Sequence, residues 1–436
     1  MSYNGRVKIK NFAELAASEL RRSALSIIEA GLEAIDTGSV IRKNVSLAGS
    51  DLIIADEAIP LNSLGRVVVV GAGKCALEAA AALEEVLGDR ISGGAIIDVR
   101  EGNLNRIKAL SGDHPLPTER NVDAAKGLIA ALRGLTERDL VIAIVSGGGS
   151  VLLSLPEKHS VAEEARIFRA LTKAGADITE LNTIRKHTSL ARGGHLAKYA
   201  HPARVACLIF SDVPGDPLQF ISSGPTVKDT TSVADAERVL EKYGGRAALE
   251  LEDLEFSETP KEDEWFEKVR NTIVVSGRTA LAEMFLKAGE LGYQPRIAAD
   301  AFHGEARGTG ERIAQELREA PPGTALLYAG ESTVLIRGGG KGGRNQEVAL
   351  SALRTIAAGE LVAAIASDGR DNTEFAGALC DIISREKAAG AGLDPGKFLA
   401  ANDSFHFWEP TGDLIFTGPT GSNVSDLILA IKEKQK

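Results

Sequence analysis

The chain has 436 residues, 44% of them apolar and 25% charged, with a formal net charge of −10. That length exceeds one ordinary core and makes two domains the expectation. An acidic surface repels nucleic acid and anionic membranes, and no run reaches the ~18 apolar residues of a membrane span. The opening MSYNGRVKIKNFAELAASEL lacks the apolar centre of a signal peptide. Cys75, Cys207 and Cys380 stand far apart without metal-ligand spacing, so no disulfide framework is suggested and a reducing, cytoplasmic compartment is expected. Any anion site must be assembled locally from lysine, arginine and backbone N–H groups.

A helix is expected over 13–35, able to pack on either half of the chain. The first strand, Val67–Val70, runs into Gly71-Ala72-Gly73-Lys74 and a helical stretch that ends at Leu87. The glycines satisfy Gly-x-Gly-x-x-Ala, a form of the dinucleotide fingerprint. Asp98, within the next strand Gly94–Val99, stands about where a ribose-binding acid would lie. Lys74, however, puts a cation where the helix dipole disfavours one by roughly 0.3–1 kcal/mol, which suits a lysine that meets a phosphate. His114, before a proline in SGDHPLP, reads as structural.

The strand Leu140–Val145 opens into Ser146-Gly147-Gly148-Gly149-Ser150. Successive bare N–H groups in such a turn form an anion-binding concavity, so Gly147, Gly148, Gly149 and Ser150 are candidate phosphate ligands. In LNTIRKHTSLARGGHLA, Arg185, Ser189 and Arg192 share one helical face, with Lys186 on its border. Arginine forks match carboxylate or phosphate geometry, and Arg185, Lys186 and Arg192 are candidate substrate ligands. His187 in the same run reads as structural. After the strand Val205–Phe210, Asp212 and Asp216 flank Val213-Pro214-Gly215, hard oxygen ligands of the kind magnesium uses.

The acidic stretch LELEDLEFSETPKEDEWFEK, 249–268, is the expected linker between a domain over 1–248 and another over 269–436. Strands are expected at Ile273–Val275, Arg296–Ala299, Ala325–Ala329 and Val362–Ala366. Between the last two lies RGGGKGGRNQEVAL, which contains no Gly-x-x-x-x-Gly-Lys-[Ser/Thr] and is not a Walker loop. Its bare backbone, helix start and cations still converge on an anion, which nominates Lys341, Gly342, Gly343 and Asn345 for nucleotide and Arg344 for chemistry. Asp368 and Asp371 close the strand Val362–Ala366, where a metal or a substrate hydroxyl could be met. Strands alternating with helices indicate an α/β protein with parallel sheets covered on both faces.

Taken in order, VVVVGAGK, SGGGS, LNTIRKH, SDVPGD, SGPT, GGRNQE, ASDG and TGPTG resemble the type-2 glycerate kinases of the MOFRL family over nearly the whole chain. That resemblance implies two Rossmann-like α/β domains with an active-site cleft between them. It also implies transfer of a phosphoryl group from ATP, with Mg2+, to D-glycerate, most simply at the 2-hydroxyl, by a monomer or homodimer. Lys74 and Arg344 are the residues expected to act in catalysis, and Asp212 or Asp368 would hold magnesium or accept the hydroxyl proton. Where family members continue past SDG with a Gly-Pro-Thr-Asp-like stretch, this chain has Arg370-Asp371-Asn372-Thr373. The alternatives are phosphorylation at the 3-hydroxyl, an NAD(P)-dependent hydroxy-acid dehydrogenase using the Gly71 turn, and a sugar-acid-binding regulator. The regulator is disfavoured by the net charge and the absence of a helix-turn-helix pattern.

Overall fold

The computed structural model describes residues 7–251 and 254–435. They divide into two compact units that do not follow chain order. One holds residues 37–211 and 216–274; the other holds the chain up to Asp36, the return Asp212–Gly215, and everything from Val275 onward.

In the first unit an antiparallel meander of β1 (Val45–Ala48), β2 (Asp51–Ile54) and β3 (Glu57–Pro60) precedes a six-stranded sheet. That sheet comprises β4 (Val67–Ala72), β5 (Ile91–Asp98), β6 (Lys108–Ser111), β7 (Leu140–Ser146), β8 (Arg204–Phe210) and β9 (Val269–Val275), in the spatial order β6-β5-β4-β7-β8-β9. Pairing from β6 across to β8 is parallel throughout. Every residue of β4 and β7 is buried, which is why both read as unbroken apolar runs. The chain leaves β4 first towards β5 and β6, then returns on the other side as β7 and β8. The strand order therefore reverses between β4 and β7, and open α/β sheets collect ligands at such a point, beyond the carboxyl ends of the strands. With Ala72 opposite Val145, the turns after these two strands lie side by side.

The second unit carries β10 (Gln294–Phe302), β11 (Thr324–Gly330), β12 (Glu360–Ala366), β13 (Gly377–Asp381), β14 (Leu414–Ile415) and β15 (Asp426–Lys432), ordered β10-β11-β15-β12-β13-β14. Only β10 and β11 pair in parallel; the other neighbours are antiparallel. This departs from the all-parallel expectation. β13 follows β12 with no helix between them, and a parallel return needs a longer crossover. β15 enters between β11 and β12, so Asp426 at its start lies opposite both Gly330 and Ala366, at the carboxyl ends of those strands.

The expected domain limits need two corrections. Residues 249–268 do not form a linker: Leu249, Leu251, Leu254 and Phe256 pack with Ile167, Leu171, Ile184 and Leu240 in a satellite core. The division falls instead at Val274, because β9 completes the first sheet beside β8. The N-terminal helix belongs to the second unit. It is broken into Phe12–Leu15 and Glu19–Ala34, the latter capped by Ser18. Gly31 lets it approach the helix Gly277–Glu290 closely, since a Cβ there would lie 2.7 Å from Met284 Cγ. Arg21, buried, donates to Asp381 (2.6 and 2.7 Å) and to Asp413 (2.8 Å), tying this helix to β13 and β14.

Candidate active site

In the first unit, Gly73 follows β4 at φ +140°, and a Cβ there would fall 2.0 Å from Ser146 Oγ. The glycine is needed for the turn to pass the end of β7. Lys74 lies in the turn itself, since the helix begins at Ala76 with Cys75 as its cap. Its backbone N–H donates to Gly147 O (2.9 Å), tying the two turns together. The helix N-terminus is already occupied by a carboxylate: Leu77 N–H donates to Asp98 Oδ2 (3.0 Å), while Arg100 donates to Asp98 Oδ1 (3.1 Å). Asp98 is fully buried by these contacts, so the place where a dinucleotide would put its pyrophosphate is filled from within.

Beyond β7, Gly148 adopts φ +84°, and a Cβ on it would lie 3.2 Å from Lys74 Cγ and 3.5 Å from His114 Cδ2. Lys74 and His114 thus flank the glycine turn. Gly149 faces Ser222, whose hydroxyl donates to Ser146 O (2.6 Å). Ser150 Oγ shares a 2.9 Å hydrogen bond with Ser223 Oγ, which donates to Asn182 Oδ1 (2.9 Å). Ser222 and Ser223 are both in the left-handed region (φ +52° and +59°). Backbone strain of that kind costs on the order of 1–3 kcal/mol per residue and persists where the surroundings enforce it.

A cavity of about 410 Å³ opens beside this turn, walled by Pro115–Pro117, Ser150, Phe168, Arg185 and Arg192 among others. Arg185 is half-buried, stacks on Phe168 (4.8 Å to the ring centroid), and has no carboxylate partner among the described residues. Burial, with the charge of Arg192 adding to it, lowers its pKa to about 10. His114 is held down at about 4 by partial burial and by the charges of Lys74 and Arg185. Lys74, His114 and Arg185 therefore form one electrostatic group; the acid that acts on it, Glu164, lines the same cavity and is itself paired with Arg192.

The other two basic residues nominated as substrate ligands behave differently. Lys186 points inward to Asp229 (2.5 Å), both fully buried, and is not available to a ligand. Arg192 is paired with buried Glu164 (2.6 Å) and donates to Arg185 O (3.2 Å), leaving Nε without a partner. A helical face groups residues by angle but does not say which will find an acid inside. His187 is structural as expected, bonded to Thr183 O (2.8 Å) and Glu258 (3.2 Å).

In the second unit the glycine loop Gly338–Gly343 is bare for packing as well as for any ligand. A Cβ on Gly343 would lie 2.1 Å from Asp371 O, and one on Gly342 2.0 Å from Ser404 Oγ. Asp371 caps the helix Arg344–Leu353 by accepting from Asn345 N (3.1 Å) and Gln346 N (2.8 Å). Asn345 Nδ2 bridges Asp371 (3.3 Å) and Asp426 (2.9 Å). Arg344 is gripped by Asp426 through two bonds (2.7 and 3.0 Å) and by Glu331 through a third (2.6 Å). Those carboxylates raise its pKa against the opposing effect of burial. Burial pushes Asp371 up to about 7 and Asp426 up to about 6. Lys341 lies over the Phe405 ring (3.7 Å), its ammonium exposed.

Asp212 belongs to this second group: its carboxylate accepts from Asn423 (3.3 Å) and its carbonyl from Ser425 Oγ (2.5 Å). Asp368 accepts from Arg370 N (3.0 Å), closing its own turn. No cluster of three or more histidine, cysteine or acidic side chains among the described residues is spaced to hold a metal unaided. Sequence reasoning passed over Asp426 and Glu331 and read His114 as structural. Only the register of β15 brings Asp426 to Arg344, and nothing local marks such a pairing.

A switch-point glycine turn beside cations that form no ion pair among the described residues, and a second glycine turn with a charge-compensated arginine, sit in an α/β protein of two units. Residues 23–253 match a domain of unknown function, DUF4147, and residues 324–426 match the MOFRL family. The chain belongs to the MOFRL family of glycerate kinases, given these matches and its relatives. It is 36% identical to the glycerate 2-kinase of Pyrococcus horikoshii, over 96% of this chain and 98% of that one. It is 40% identical to an Agrobacterium vitis protein named, provisionally, a hydroxypyruvate reductase, over 90% and 94% of the two chains. The crystal structure of glycerate kinase from Thermotoga maritima superposes with a TM-score of 0.83 at 33% identity, covering 94% of this chain and 99% of that one. Among the described residues no helix is long and apolar enough to cross a membrane.

Proposed function

We propose that this protein transfers the γ-phosphoryl group of ATP, bound with Mg2+, to the 2-hydroxyl of D-glycerate. The observation that carries the reading is the group around the Gly147–Gly149 turn, in which the cations Lys74 and Arg185 stand with a neutral His114 and form no ion pair among the described residues. Full-length relatedness to a glycerate 2-kinase gives the anion its identity. Phosphoryl transfer asks a protein chiefly to position its reactants and to neutralise the oxygens of the moving group, and holding them in line can supply roughly 7–11 kcal/mol of the barrier.

Arg185 takes the glycerate carboxylate, for which its fork is matched. Lys74, a donor-only cation beside bare N–H groups, takes a phosphoryl oxygen, and the Gly147–Gly149 turn with Ser150 supports it. Arg344 has given three N–H groups to Asp426 and Glu331. It retains donors on both terminal nitrogens, which we assign to the transferring phosphoryl group. Lys341 offers its exposed ammonium to the nucleotide, with the backbone of Gly342 and Gly343 beside it, while Asn345 is engaged with Asp371 and Asp426. Mg2+ enters as part of the nucleotide, held by phosphates and one or two carboxylates as is usual for this ion. Asp212 or Asp368 is the acid we assign to that ion or to the hydroxyl proton. Three free, buried cysteines support a reducing, cytoplasmic setting.

The dehydrogenase reading has the name of the Agrobacterium relative in its favour. Against it, Asp98 fills the helix N-terminus that a dinucleotide would need. Incubation with ATP, Mg2+ and D-glycerate, followed by 31P NMR, separates the readings. ADP and 2-phosphoglycerate are expected; 3-phosphoglycerate would move the acceptor, and no ADP with a nicotinamide absorbance change would replace the kinase.

A further inference from the structure

His114 is absorbed by none of the roles above, yet it stands in the middle of them. Its ring and the Lys74 side chain touch the same point over Gly148, at 3.5 and 3.2 Å from where a Cβ would be. The residues that follow it, Pro115–Pro117, wall the same cavity as Ser150 and Arg185. His114 keeps part of its surface exposed and has no hydrogen-bond or ion-pair partner among the described residues, unlike His187 and His195, which are buried and bonded to backbone carbonyls.

The donor inventory then becomes decisive. Lysine and arginine are donors only, whereas an alcohol must also find an acceptor for its hydrogen. Three side-chain acceptors near this turn are already engaged, Asp113 among them through Thr118. Ser150 is bonded to Ser223, and Glu164 is held by Arg192 and Ser154. Partial burial, with the charges of Lys74 and Arg185 adding to it, keeps this histidine uncharged at neutral pH, so one ring nitrogen remains an acceptor. An acidic side chain at that position would instead pair with Lys74 and cancel the field that attracts the substrate.

We propose that His114 binds the alcohol of the substrate: one ring nitrogen accepts the hydrogen of the 2-hydroxyl while Arg185 holds the adjacent carboxylate and Lys74 faces the incoming phosphoryl group. The recognised chemistry is a 2-hydroxy carboxylate, a narrower class than small anions at large. This inference rests on the proposed kinase function, and the test keeps the two apart.

kcat/KM for D-glycerate is measured in the wild type, His114→Ala and His114→Asn, alongside the inhibition constant of 3-hydroxypropanoate, which lacks the 2-hydroxyl. Leaving a hydroxyl unpaired in a desolvated site lowers affinity by roughly 10- to 100-fold. His114→Ala is therefore expected to lose that factor in kcat/KM, His114→Asn to recover part of it through its amide oxygen, and the 3-hydroxypropanoate constant to stay within twofold. Wild-type turnover retained in His114→Ala overturns the assignment and leaves the kinase intact. An equal loss for 3-hydroxypropanoate also overturns it, by showing that the ring only shapes the pocket. No ADP from the wild type with D-glycerate overturns the kinase reading and this inference with it.

Discussion

The two glycine-rich turns look alike in sequence and differ in charge. Each follows a strand, exposes bare backbone and carries a cation close to a helix start. Around the first, Lys74 and Arg185 form no ion pair among the described residues, and the neighbouring Glu164 is taken up by Arg192. Around the second, Arg344 is neutralised by Asp426 and Glu331, with Asp371 close behind. In the proposed function the first turn receives the anion. The second already holds an excess of carboxylate, so its positive charge is fixed in direction rather than left seeking a partner.

The strongest way to break this contrast is to remove the unbalanced lysine. Lys74→Ala should lower kcat/KM by roughly 10³–10⁴-fold, the scale of one donor aimed at developing charge. Its melting temperature should stay close to that of the wild type, because the side chain holds nothing in place. A large fall in melting temperature with activity retained would make the lysine structural. Arg192→Ala should do the opposite. It strands the Glu164 carboxylate in the interior, which costs about 3–5 kcal/mol, visible as a lower urea midpoint.

Arg185→Ala, third in size, should raise KM for D-glycerate by about 10- to 100-fold with a smaller effect on kcat, as expected for the loss of a charge-assisted fork. The second turn predicts a pH effect. Asp371 and Asp426 have folded pKa values raised to about 7 and about 6. Their protonated forms therefore favour the fold. The stability they contribute is fully present below about pH 4 and is lost as pH rises through 6 to 7. Unfolding free energies from urea titrations should fall by roughly 4 kcal/mol between pH 5 and pH 8, with a shallower slope in Asp371→Asn. The smallest effect is expected at Gly339, where a Cβ would meet nothing within 4 Å. Gly339→Ala should change stability by no more than about 0.5 kcal/mol, whereas Gly343→Ala must displace Asp371.

Most of the first sheet was legible because its strands are buried on both faces. Val67–Val70 and Leu140–Val145 are unbroken apolar runs, and the observed strands extend them by only one or two residues. The second sheet was harder. β13 and β15 are buried strands too, but their antiparallel placement depends on how the chain closes, which periodicity does not encode. The acidic segment misled because its charges conceal Leu251, Leu254 and Phe256, apolar residues too irregularly spaced to show a face. At the candidate site, glycine turns and cations could be found by composition. Whether each cation met an acid could not, because Lys186 with Asp229 and Arg344 with Asp426 are joined across 43 and 82 residues.

The central claim is that an unpaired basic group in the first unit exists to bind the substrate's anionic end. Calorimetric titration of D-glycerate into the wild type and into the Lys74→Ala/Arg185→Ala double variant tests it without requiring turnover. The account predicts saturable binding to the wild type and at least a 100-fold loss of affinity in the double variant, with far-UV circular dichroism unchanged. Equal affinity in the two proteins would contradict it.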